Sequence, residues 1–150
     1  MKTSYREYLK LNKNLIISFL VALTASAAVA QLFSEEESYV NSSYTVIVDF
    51  TVFYSSFSIL FYIDNRKRYR LPDDKTDNKQ LKKDLVKIIS SLGVGEIIYM
   101  ATRWYLQYYF LTLEYEPYIA STIAHLASTL VYMIAVNLSV KFTRLYKHDA

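Results

Sequence analysis

At 150 residues the chain has room for one domain, and 53% of it is apolar while Gly and Pro number only two each, too few for a loop-rich soluble fold. The absence of Cys excludes disulfides, thiolate metal sites and a cysteine nucleophile. A net charge of +3 is small, so the information lies in where the charges fall.

The first apolar run, LIISFLVALTASAAVAQLF from Leu15 to Phe33, contains no charge. A helix needs roughly 20 apolar residues to cross a bilayer core, so a span over 15–33 is expected. The stretch has a rival reading. Its Lys-bearing start, apolar run and Ala28-Val29-Ala30 ahead of Gln31 have the form of a cleavable signal. However, the region before it is long and carries Tyr5, Glu7 and Tyr8, and the run continues past Ala30. We therefore expect residues 1–30 to be retained.

A second run, 44–63, is interrupted only by Asp49. The segment 64–84 that follows mixes both signs, with Arg66, Lys67, Arg68 and Arg70 placed for anionic headgroups. Leu71-Pro72-Asp73-Asp74 reads as a turn, and 78–84 as a short amphipathic lead into the next helix. The third run, 85–113, holds Lys87, Glu96 and Arg103; the fourth, 118–140, has His125 as its one ionisable group.

Basic residues near helix ends mark the cytoplasmic side. Here they precede the first run (Lys2, Arg6, Lys10, Lys13), fill the loop between the second and third, and follow the fourth (Lys141, Arg144, Lys147). The other two connections carry Glu35, Glu36 and Glu37, and Glu114 and Glu116, with no Lys or Arg. The expected fold is an all-α integral membrane protein of the cell membrane. Its single transmembrane domain, 1–150, has four transmembrane helices in two tandem hairpins, with both termini and loop 64–84 cytoplasmic.

Charged groups inside a span are costly, and they usually face the protein interior and find partners. Asp49, Glu96, Arg103 and His125 are therefore expected to form a polar intramembrane cluster, either a structural ion-pair network or an outward-facing ligand pocket. Arg103, in the outer half of its helix, is long enough to snorkel toward water. Two carboxylates and a His are a donor set suited to iron or zinc, but no spacing fixes them as ligands, so no metal and no cofactor are expected. Trp104, Tyr105, Tyr108 and Tyr109, continued by Phe110, Tyr115 and Tyr118, read as an outer aromatic belt or as a stacking surface for a sugar. Ala22, Ser26 and Ala30, and Ala120, Ala124 and Ser128, are small-residue stripes of the kind that bring helices close in lipid; Gly93 and Gly95 thin the third helix. Asn41-Ser42-Ser43 matches the glycosylation sequon in an external loop. Asp73-Asp74-Lys75-Thr76-Asp77 has the paired aspartates of a magnesium-binding motif but lacks a second acidic cluster, and reads as a solvated turn. No nucleophile–base set, phosphate-binding Gly loop or redox centre is present, so a non-enzymatic role is expected.

The fourth run ends in Val136-Asn137-Leu138-Ser139-Val140-Lys141-Phe142, with Arg144 and Tyr146 beyond; the second ends in Asn65-Arg66, with Tyr69 beyond. In this ending and in its layout the chain resembles the GtrA-like family of small four-helix membrane proteins, although its first helix is Ala-rich where that family's is Gly-rich. The resemblance implies translocation of polyprenyl-linked sugars for cell-surface glycan synthesis, with Asn137 and Lys141 as family-motif residues. Small multidrug-resistance transporters fit less well, because their essential Glu lies in the first helix. The other class is an accessory subunit of a larger membrane-bound complex, such as an archaeal ammonia (copper membrane) monooxygenase. Expected partners are membrane lipids, with either a lipid-linked sugar or other integral subunits, and no nucleic acid.

Overall fold

The structure, a computed structural model, describes residues 2–143, with side chains for 6 and 9–135 other than 91 and 94. Its elements are α1 (Lys2–Leu32), α2 (Ser38–Asn65), one 3-10 turn (Arg66–Tyr69), α3 (Asn78–Ser91), α4 (Gly93–Thr112) and α5 (Pro117–Thr143). Leu9–Leu32, Ser38–Tyr69 and Pro117–Ala135 are each long and apolar enough to cross a membrane. The helices run past the apolar stretches at most ends, because backbone hydrogen bonding continues into the polar flanks while hydropathy does not. At 31 residues, α1 is roughly 46 Å long, well beyond the hydrocarbon thickness.

The third apolar run is not the single helix expected over 85–113. It divides into α3 and α4 at Leu92, and the axes of Asn78–Ser90 and Gly95–Thr112 diverge by 63°. The break falls where Gly93 and Gly95, the only glycines in the chain, lie close together. Each is about 1 kcal/mol less favourable than Ala within a helix. The Leu92 N–H donates back to Ile89 O (3.1 Å), closing α3 with a tight turn, and Leu92 O accepts from Glu96 N (3.1 Å), opening α4. The two glycines thus lie at the bend between α3 and α4, and Gly95 is buried there. The amphipathic lead expected over 78–84 extends through Ser91. Asp77 caps it by accepting from Gln80 N (3.0 Å), and Lys82, Lys83 and Lys87 remain exposed.

The four long helices pack in the cyclic order α1–α2–α4–α5, so each has two main neighbours. Small residues line α1 every four positions, with Asn14, Ser18, Ala22, Ser26 and Ala30 buried; α5 buries Ala120, Ala124 and Ser128. That spacing puts one ridge along one helix face and lets backbones approach closely. Ile16, Leu20, Ile47, Ile59, Leu130 and Ile134 instead point away from the bundle, as side chains facing lipid do.

One buried stripe on α2 organises the interior. Asn41, Thr45, Asp49, Phe53 and Phe57 are buried at successive four-residue steps. The polar half lies toward the acidic loops and the aromatic half toward the basic ones. The rings continue as a file: Phe19–Phe53 (4.6 Å between centroids), Phe53–Phe57 (6.3 Å), Phe57–Phe61 (6.1 Å) and Phe61–Tyr69 (6.2 Å). At the basic end Tyr69 is buried and donates its hydroxyl to Asp84 Oδ2 (2.8 Å), pinning α3. Lys13 Nζ meets Asp64 Oδ2 at 2.8 Å, joining α1 to α2. The paired aspartates behave as a solvated turn: Asp73 and Asp74 bind Lys75 and Arg70 locally, and Asp74 has φ 63°.

At the other end, α4 stops in a Schellman motif. Tyr115 N donates to Phe110 O (3.2 Å), Glu114 N donates to Leu111 O (3.0 Å), and Glu114 has φ 61°. The Phe110 and Tyr115 rings meet edge-on at 5.3 Å, the apolar contact that accompanies this motif.

Candidate functional site

The polar half of the α2 stripe sits where all four helices meet, and the other three project polar groups onto it. From α4 come Tyr99, Arg103 and Gln107, again four residues apart and therefore on one face. From α5 come Ser121 and His125. Asp49 is 1% exposed, Arg103 0% and His125 2%, so the centre is closed.

Asp49 receives three groups. Tyr99 donates its hydroxyl to Asp49 Oδ2 at 2.6 Å, a short bond of the kind a carboxylate accepts. His125 Nδ1 lies 3.1 Å from Asp49 Oδ1. Arg103 Nε stands 3.5 Å from Asp49 Oδ2, at ion-pair distance. The rest of the guanidinium is held on its far side: Nη1 donates to Gln107 Oε1, and Nη2 donates to Ser121 Oγ at 2.8 Å. Gln107 Nε2 then donates to Asn41 Oδ1 (2.8 Å), and Asn41 Nδ2 donates to the carbonyls of Ala30 (2.8 Å) and Phe33 (2.9 Å) at the end of α1. A relay thus runs from His125 through Tyr99 to Asp49, across the Asp49–Arg103 ion-pair contact, and on through Gln107 and Asn41 to the α1–α2 turn.

Of the expected cluster, the structure brings Asp49, Arg103 and His125 together. Glu96 lies one turn from Tyr99 on α4 and engages the Tyr54 hydroxyl instead. Arg103 does not snorkel: three acceptors converge on it, and it is the largest fully buried side chain among the described residues. The cluster also does not open outward as a pocket. A separate cleft of about 270 Å³ lies between the two acidic turns, lined by Glu36, Asn41, Leu111, Glu114, Glu116 and Pro117. Asn41 is the floor of this cleft and the outermost member of the relay. It is 1% exposed and its amide donates to two carbonyls, so the sequon is not an open glycan acceptor.

Tyr99, Gln107 and Asn41 were not singled out for this role from sequence. The available signal was four-residue spacing, Tyr99–Arg103–Gln107 on one helix and Asn41–Thr45–Asp49 on another. Among the described residues no group of three or more His, Asp or Glu is placed to hold a metal. The aromatic belt lies on the outside of α4. Tyr105, Tyr108 and Tyr109 are exposed, Trp104 stacks on Tyr108 (5.4 Å) and Tyr105 on Tyr109 (6.4 Å), and Trp104 Nε1 donates to Ser43 Oγ (3.0 Å). The side chains of the motif residues Asn137 and Lys141 lie outside the described residues. No family model, curated protein or solved structure matches this chain.

Proposed function

We propose that this chain is a non-enzymatic membrane protein of four spans, with α3–α4 as the bent third span and the basic ends in the cytoplasm. We propose further that it serves as an integral accessory subunit of a larger membrane assembly. The observation that carries this reading is the closed centre: Asp49, Arg103 and His125 are directed at one another inside the bundle, while α4 turns a ladder of rings outward. Charges used in this way fix the packing of helices, and an exposed aromatic face suits a protein neighbour as well as headgroups.

A second reading, translocation of polyprenyl-linked sugars, draws on the cleft between the acidic turns. Its carboxylates are groups that bind sugar hydroxyls, and Tyr115 offers a ring. The same carboxylates oppose a lipid phosphate, which places this reading second.

Extraction from the native membrane in a mild detergent, followed by native mass measurement, separates the two. A subunit migrates with other chains in fixed ratio, whereas a free translocase migrates alone or as a small homo-oligomer. The topology is checked in the same material with Ser38→Cys and Asn78→Cys, each the only thiol in its chain. An impermeant thiol reagent applied from outside labels the first and spares the second; the reverse pattern overturns the orientation.

A further inference from the structure

We propose that His125 Nε2 is a proton-binding site reached from the basic end of the bundle through a hydrated seam between α1 and α5.

The tautomer follows from the contacts. The single Tyr99 proton lies in its 2.6 Å bond to Asp49 Oδ2. His125 Nδ1 therefore faces two acceptors, the Tyr99 oxygen at 3.0 Å and Asp49 Oδ1 at 3.1 Å, and carries the ring proton in the neutral form. Nε2 is then a bare lone pair. It is buried and has no hydrogen-bond partner among the described residues.

Five more buried polar atoms share that condition: Asp49 Oδ1 and Arg103 Nε, which face charged neighbours at the ion-pair centre, and Ser128 Oγ, Ser18 Oγ and Asn14 Oδ1. The last three are not scattered. Ser128 lies three residues after His125, on the same face of α5. Phe19 packs against both His125 (6.1 Å) and Tyr132 (6.0 Å), which sets its neighbour Ser18 at the depth of Ser128. Asn14 is one turn nearer the basic end on the α1 ridge, and its amide bonds Asp64 there. Buried polar groups are almost always satisfied by protein or by ordered water. A run of four at helix-turn spacing, ending at the exposed Lys13–Asp64 pair, has the form of a short water file.

The opposite side is differently built. Arg103, fixed by Gln107 and Ser121, stands between His125 and the acidic cleft, and a fixed cation repels a travelling proton. The seam is thus open to one end only. The ionisable and charged groups around His125 are Asp49 on α2, Tyr99 and Arg103 on α4 with Glu96 a turn away, and Tyr132 on α5; α1 presents Phe19. In the proposed step a seam water gives a proton to Nε2 and is itself reprotonated from the basic end. The ring becomes an imidazolium, with Nδ1–H still on the Tyr99 oxygen beside Asp49, and nothing else changes charge.

The test uses full-length protein in lipid nanodiscs, labelled with 15N-histidine and carrying His148→Asn, which leaves His125 as the only histidine. Ring 15N spectra across a pH titration are expected to show the Nδ1–H tautomer at alkaline pH and a second proton at Nε2 on acidification. Ser18→Ala, which removes the hydroxyl and adds no bulk to the fully buried ridge, is expected to slow Nε2 proton exchange with water by about tenfold, the effect of losing one buried hydrogen-bonding group. Ser128→Ala gives a second measure should Ser18→Ala impair folding. An Nε2–H tautomer in the neutral ring, a ring that takes up no proton before the protein unfolds, or exchange unchanged by both variants overturns the proposal.

Discussion

The two halves of α2 carry one continuous buried stripe, yet they hold their neighbours by different physics. Toward the acidic turns, Asn41 and Asp49 bond to groups from α1, α4 and α5, and Thr45 donates to Asn41 within α2. Toward the basic end, Phe53 and Phe57 stack in a file of rings with Phe19, Phe61 and Tyr69. In water the aromatic half would dominate stability, because burying a ring removes much apolar surface from solvent. In a bilayer the unpacked alternative for a ring is lipid, which is equally apolar, so only the quality of packing counts. A charged group released from its partners has no such refuge. The polar half therefore sets which helices meet and at what rotation, and the aromatic half fills the space that this leaves.

The largest expected effect tests the polar half. Breaking a buried ion pair from one side costs about 3–5 kcal/mol, since the remaining charge is stranded. The two partners of this pair are not equivalent. Without Arg103, Asp49 keeps the Tyr99 hydroxyl and His125; without Asp49, Arg103 keeps only the neutral Gln107 and Ser121. Asp49→Leu is thus expected to lower stability to unfolding in detergent more than Arg103→Leu does, with the double variant recovering part of the larger loss. Additive losses, or a greater loss from Arg103→Leu, would show that the pair does not govern the centre.

Much of this was legible in the sequence, and the failures have physical causes. Three of the four apolar runs fall in helices long and apolar enough to cross a membrane. Asp49, Arg103 and His125 could be linked in advance because intramembrane charges must find partners. Glu96 was expected to join them as a further charge inside a span, but that argument does not choose the partner, and an adjacent Tyr54 satisfies it. Asn41 was read as external because it follows three glutamates; its role depends on the end of α1, eight to eleven residues earlier, folding back within reach. Tyr69 was read only as a terminal aromatic, since its partner Asp84 lies across a loop that hydropathy does not resolve. The break at Leu92 escaped because average hydropathy registers neither the weak helix propensity of Gly nor the Tyr69–Asp84 contact that ties α3 to the preceding loop.

An intermediate effect tests the aromatic half. Phe57 is 1% exposed and stacks between Phe53 and Phe61. Removing its ring in a soluble core would cost about 3–5 kcal/mol, a sum of lost transfer energy and cavity formation. With lipid as the alternative environment the transfer part largely vanishes, leaving about 1–2 kcal/mol of lost packing. Phe57→Ala is therefore expected to destabilise the protein in bicelles clearly less than Asp49→Leu. A loss equal to or above that of Asp49→Leu would overturn the division of labour along α2.

The smallest effect concerns the bend that ends the aromatic half, and two causes for that bend make opposite predictions. If the glycines alone soften the chain at Leu92, a better helix former should straighten α3 onto α4. If the bend is held by contacts, the same change should add stability and leave the angle alone. The contacts are specific: Tyr69 holds Asp84, Asp77 caps the first turn of α3, and Arg68 lies 3.3 Å from Asp84. Gly93 is already helical, and a Cβ built on it meets nothing within 4 Å. Gly93→Ala is thus expected to raise stability by about 0.5–1 kcal/mol through helix propensity. Spin labels at Lys82→Cys and Tyr105→Cys, both at exposed positions, should report the same distance before and after. A longer distance would assign the bend to the glycines. An unchanged distance in Gly93→Ala that lengthens when Tyr69→Phe is added would assign it to the Tyr69–Asp84 pin, because that second change removes one hydroxyl and leaves the ring file intact.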